Sequence, residues 1–104
     1  VRGRHYTEWV PTLDVLRSDS ERQDEYLALL LEIIDATERE TLYSGLEPPP
    51  GYYTRAALVY RKRRDIDAEI AVLERWMRIC PPDRRNGKIA DRLAKAVAIK
   101  NKTS

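Results

Sequence analysis

Prolines mark out this chain before any other feature is weighed. Pro48-Pro49-Pro50 and Pro81-Pro82 each remove consecutive backbone donors, and the residue ahead of a proline is pushed towards extended geometry. Neither stretch can lie inside a helix. The segment Leu46 to Gly51 therefore reads as a stiff connector, with its last proline or its glycine standing where the next helix starts. Pro81 closes the element before it.

Between these marks the apolar residues follow helical spacing. Over 21–43 the stripe is Leu27, Leu30, Leu31, Ile34, Thr41 and Leu42, widened by Tyr26, Leu29 and Ile33. A surface helix needs one apolar face only, so a stripe this wide predicts burial between two neighbours. Ser20 is the expected N-cap, with Gln23 as its capping-box partner, and Gly45 is the expected stop. A second helix runs from Gly51 or Tyr52 to Arg64, with Tyr53, Ala56, Ala57 and Tyr60 on one side. Its end, Arg61-Lys62-Arg63-Arg64, complements the helix dipole. Asp65 or Asp67 caps the next helix, which reaches Ile79 and carries Ile66, Ile70, Leu73, Trp76 and Met77. A last helix over 86–100 sets Ile89, Leu93, Ala96, Val97 and Ile99 against lysines and arginines. At the other end Thr7 caps a short helix to Leu16, with Trp9, Leu13 and Leu16 inward and Pro11 tolerated in the first turn. The result is an all-α chain of five helices.

Residues 52–81 resemble a tetratricopeptide repeat, matched without a gap. The family pattern of an aromatic, a large-small pair and a tyrosine falls on Tyr53, Ala56-Ala57 and Tyr60. The turn between its helices falls on Arg64-Asp65-Ile66-Asp67, and its closing proline on Pro81. Two positions depart, Glu69 and Trp76, where the family prefers small residues; Ala57 replaces the usual glycine. The resemblance implies antiparallel helical hairpins: 5–44 a degenerate first hairpin, 52–81 the matching one, and 86–100 a C-terminal capping helix. That cap's polar side is Lys88, Arg92, Lys95 and Lys100. It also implies a tight helix crossing at Ala57, and a basic partner for Glu69, such as Arg55, because a lone buried carboxylate is costly.

Composition removes several function classes. No apolar run approaches the roughly 20 residues of a membrane span. Val1-Arg2-Gly3-Arg4-His5 lacks the apolar stretch of a signal peptide. No initiator methionine is present, so the chain is expected to be a piece of a longer protein. A single cysteine, Cys80, forbids an intrachain disulfide and fits a reducing cytoplasm. With only His5 beside it, a Cys/His zinc site is excluded. Glu32, Asp35, Glu38 and Glu40 read as solvated helix charges rather than a metal site. A Ser-His-Asp triad would have to use His5, and no phosphate loop or dinucleotide fingerprint occurs. No catalytic residue, metal or cofactor is therefore expected, and the chain reads as not an enzyme.

Charge is divided along the sequence. Residues 21–50 hold eight acidic and two basic side chains, 51–80 hold four and seven, and 81–104 hold two and seven, within a net charge of +2. Such asymmetry suits electrostatics within the molecule or towards a partner. The repeat resemblance implies a groove lined by Thr54, Leu58, Arg61, Lys62 and Asp65, taking a peptide or a partner domain, with Arg61 and Lys62 favouring acidic groups. The expected function is thus protein–protein interaction or scaffolding. The alternative is a nucleic-acid-binding helical domain using the clusters 61–64 and 84–95, that is Arg61, Lys62, Arg63, Arg64, Arg84, Arg85, Lys88, Arg92 and Lys95. The low net charge and the acidic helix weigh against it. The large aromatics Trp9, Tyr43, Tyr52 and Trp76 are expected mainly in the core, with homo-oligomer assembly as the competing reading.

Overall fold

Five α-helices and no strand form among the described residues, 1–85 and 87–103, of the computed structural model. They are α1 (Val10–Arg17), α2 (Gln23–Ser44), α3 (Pro50–Lys62), α4 (Ile66–Ile79) and α5 (Gly87–Thr103). The expected start of the last helix, Asn86, lies outside the described residues. Among the described residues no helix is long and apolar enough to cross a membrane.

Most boundaries sit where backbone chemistry demands. Gly45 ends α2 with φ of 70°, and its N–H donates to the Thr41 carbonyl at 3.0 Å. That left-handed geometry favours glycine. Pro50 opens α3, where its missing N–H is harmless. The Asp65 carboxylate accepts from Ala68 N at 3.2 Å and caps α4. Two expected caps are corrected. His5, not Thr7, starts the first element: His5 Nδ1 accepts from Thr7 N, and the Glu8 carboxylate accepts from His5 N at 3.0 Å. This reciprocal box opens a 3-10 turn, Tyr6–Trp9, that runs into α1. Asp19, not Ser20, caps the turn Ser20–Arg22 by accepting from Glu21 N at 3.0 Å, and α2 follows with no side-chain cap. Ser20 lies inside that turn, so it cannot take the extended backbone of a cap residue.

The helices pack in chain order, α1 on α2, α2 on α3, α3 on α4 and α4 on α5, in a slab with extents of 43 × 39 × 15 Å. Each inner helix therefore lies between two partners, which is why α2 buries seven residues from Tyr26 to Thr37. The stripe does not run to its end: Leu42 and Tyr43 are 82% and 91% exposed. Twenty-two residues of helix extend about 33 Å, against about 20 Å for thirteen-residue α3, so the last turn of α2 outruns its neighbours. Tyr43 is thereby removed from the expected core. Trp76 is fully buried, while Trp9 and Tyr52 are partly so. On α5, Ile89 and Ala96 are buried but Val97 and Ile99 face out, because this outer helix has one main partner.

The buried face of α4 is Glu69, Val72, Leu73 and Trp76, rotated from the expected one; Ile66, Ile70 and Met77 are only half-buried. The rotation turns both departures from the repeat pattern into structural features. Trp76 Nε1 donates to the Pro48 carbonyl at 2.8 Å, so the bulky residue pins the proline connector. Glu69, 3% exposed, pairs with Arg61 through Nη2–Oε2 at 2.8 Å and Nε–Oε1 at 3.2 Å, rather than with Arg55. Arg61 closes the last turn of α3, next to the turn into α4, and so reaches the first turns of α4.

The acidic face of α2 finds partners inside the molecule. Glu32 pairs with Arg2, Glu40 with His5, and Asp24 with Arg63. Arg75 bridges Asp35 and Glu38, and the Tyr53 hydroxyl donates to Glu38 at 2.8 Å. Among the described residues, no group of three or more His, Cys, Asp or Glu side chains is placed to hold a metal ion.

Candidate functional site

The proline connector decides which side of α3 stays open. With Trp76 holding Pro48 on the α4 side, α3 begins at Pro50 beside the α1–α2 corner. Gly51, Thr54, Arg55, Leu58 and Lys62 follow at intervals of three and four residues, so they share one face of α3. That face forms one wall of a groove of about 660 Å³. The corner Leu16 to Ser20, with Gln23 and Tyr26, forms a second wall, and the start of α5, with Lys88, Ile89 and Arg92, forms the third. Its floor is apolar, because Leu16, Tyr26, Val59 and Ile89 are core residues.

Five basic side chains line the groove, Arg17, Arg55, Lys62, Lys88 and Arg92, against the single carboxylate of Asp19, which caps the turn at Glu21. Among the described residues no ion pair engages Arg17, Arg55, Lys62 or Arg92. Arg55 stands out further. Its Nη1 is buried and has no hydrogen-bond partner among the described residues, a state that costs about 1–3 kcal/mol for a desolvated donor and more for a charged one. Arg55 also sits between two tyrosines. Burial raises the Tyr26 phenol above its ordinary range, opposed by the charges of Arg55 and Arg17; burial likewise raises Tyr52, opposed by Arg55. The charges of Arg17 on α1 and Arg55 on α3 thus both act on Tyr26.

The residues expected to bind a partner are divided by the fold. Thr54, Leu58 and Lys62 line the groove. Arg61 and Asp65 do not: Arg61 is held by Glu69, in a separate hollow of about 360 Å³ shared with Arg64, Ile66 and Ile99, and Asp65 caps α4. The basic run 61–64 likewise disperses. Lys62 faces the groove, Arg63 bonds Asp24 and Gln23 of α2, and Arg64 takes a left-handed φ of 58° at the turn. Of the second cluster, Lys88 and Arg92 join Lys62 in the groove, Arg84 pairs with Glu47, and Arg85 and Lys95 do not line the groove. The four consecutive cations thus leave the helix in different directions.

Sequence reasoning missed Arg17, Arg55, Tyr26 and Ile89. For Arg55 a signal existed, since its spacing from Leu58 and Lys62 puts it on their face. For Arg17 none did, because only the packing of α1 brings it beside α3. Comparison with known protein families, with curated proteins and with solved structures finds no match.

Proposed function

We propose that this chain is a non-catalytic interaction module, working in the cytoplasm, that holds an acidic segment of a partner protein in the groove between the α1–α2 corner, α3 and the start of α5. One observation carries the reading: an apolar-floored groove lined by five cations and one carboxylate, four of those cations being free of ion pairs among the described residues. Apolar contact there would supply affinity, and the cations would supply orientation and rate of encounter. The repeat resemblance over 52–81 adds support, because it points independently to the same face of α3. The dispersal of Arg61, Arg63 and Arg84 into ion pairs supports a protein segment over a nucleic acid, which needs a track of unpaired cations. A non-catalytic role is supported by the state of the one cysteine: the Cys80 thiol is buried, with its pKa pushed up by that burial.

Fluorescence anisotropy with a labelled peptide of alternating glutamate and leucine tests this. Binding is expected to weaken with salt and to fall at least ten-fold in Lys62→Glu and Arg92→Glu. Equal affinity of these variants would refute the groove. Tighter binding of an oligonucleotide of the same charge would replace the reading with the nucleic-acid one.

A further inference from the structure

Resting on that reading, we infer that the acidic segment held in the groove carries a phosphorylated serine or threonine, and that Arg55 receives its phosphoryl group. A carboxylate side chain brings one negative charge, whereas a phosphoserine brings about 1.5 to 2 and three acceptor oxygens. Four of the groove's cations, Arg17, Arg55, Lys62 and Arg92, are in no ion pair among the described residues, against one already engaged carboxylate, so a single carboxylate leaves most of that charge unanswered. Three of the four are arginines, whose planar forks match phosphate oxygens better than an ammonium does.

Arg55 fixes where the group sits. Its side chain lines the groove, its guanidinium joins no ion pair among the described residues, and among them its buried Nη1 has no hydrogen-bond partner. Arg17 lines the same groove from α1, so two guanidinium groups border it from different elements. The start of α3 adds to this field. Pro50 and Gly51 line the groove, and no side chain caps the helix there, which leaves the positive end of the helix dipole towards the ligand. A dianion here meets two arginines and a helix end, with Leu58 and Ile89 beside it for the flanking aliphatic residues. The match is to a phosphorylated peptide, not to a bare ion.

The test uses the full chain and three labelled peptides of one glutamate-leucine sequence, with a central serine, phosphoserine or glutamate. The phosphoserine peptide is expected to bind at least ten-fold tighter than the other two. Arg55→Met is expected to erase that advantage, so that the phosphoserine and serine peptides bind it within about two-fold of each other, and Arg55→Lys is expected to restore only part. A gain below two-fold from phosphorylation overturns this inference while the acidic-segment reading stands. No binding of any of the three overturns both. Should Arg55→Met fail to fold, competition on the wild-type chain decides: inorganic phosphate is expected to displace the phosphoserine peptide at lower concentration than acetate, and equal potency overturns the inference. A phosphorylated oligonucleotide that competes as well as the phosphoserine peptide also overturns it, because the group would then come from a nucleic acid.

Discussion

Replacing Arg61 by methionine separates a structural cation from a binding one. Arg61 and Lys62 are adjacent in sequence, yet one clamps Glu69 and the other lines the groove. An exposed ion pair contributes about 0–1 kcal/mol. Removing one partner of a fully buried pair costs about 3–5 kcal/mol, because the other charge is stranded. Here the Glu69 side chain is 4% exposed and that of Arg61 is 40% exposed, so the pair falls between these limits. The Arg61→Met loss is therefore expected at about 2–3 kcal/mol, discounted from the buried figure because water reaches the guanidinium. For a domain of this size that lowers Tm by roughly 10–20 °C. Adding Glu69→Leu removes the stranded carboxylate, and the double variant is expected to regain most of the loss. Urea unfolding followed by far-UV circular dichroism measures all three, with an unchanged m-value as the check on two-state behaviour. The acidic peptide should bind Arg61→Met as it binds the wild type. A cost under about 0.5 kcal/mol, or a double variant as unstable as the sum of the singles, would refute the buried-pair argument.

Three further outcomes are expected. Ala57→Leu, at a position 2% exposed between packed helices, should destabilise by about 1–3 kcal/mol through overpacking; an unchanged Tm would show that the contact is loose. Trp76→Phe keeps a ring but leaves the buried Pro48 carbonyl without its donor, at a cost of about 2 kcal/mol; a loss no larger than that of Val97→Ala, on the exposed face of α5, would refute the pinning role. Alkaline unfolding should depend on Tyr53. Burial, then the Glu38 carboxylate, raises its phenol above the ordinary value of 10.0. The unfolded chain therefore loses that proton first, so Tyr53 adds stability below about pH 10 that declines as pH rises further. Tyr53→Phe should flatten part of that decline in a series of urea titrations, and an identical slope would argue that Tyr53 is not the group responsible.

Local chemistry made much of this fold legible in the sequence. Prolines and glycine act on their own backbone whatever surrounds them, so Pro50 and Gly45 mark helix ends without reference to the tertiary structure. The wide stripe of α2 likewise required two neighbours, and it has them in α1 and α3. Caps were less legible, since the backbone enters a 3-10 turn at Ser20 and so moves the capping position back to Asp19.

The site was half legible, for a reason that begins with the same prolines. Spacing on one helix placed Thr54, Leu58 and Lys62 together, because neighbours at three and four residues share a face in any α-helix. Which direction that face looks is a property of packing. Trp76 holding Pro48 and Glu69 holding Arg61 set the rotation of α3 and α4, and so divided a continuous basic run between an ion pair, a helix contact, a left-handed turn and a groove. Arg17 and Arg55 line one groove only because packing brings the end of α1 beside α3. The sequence by itself determined the helices, their ends and their charges. The tertiary structure alone decided which charges neutralise each other and which are left facing the groove, because that choice depends on distances between residues far apart in the chain.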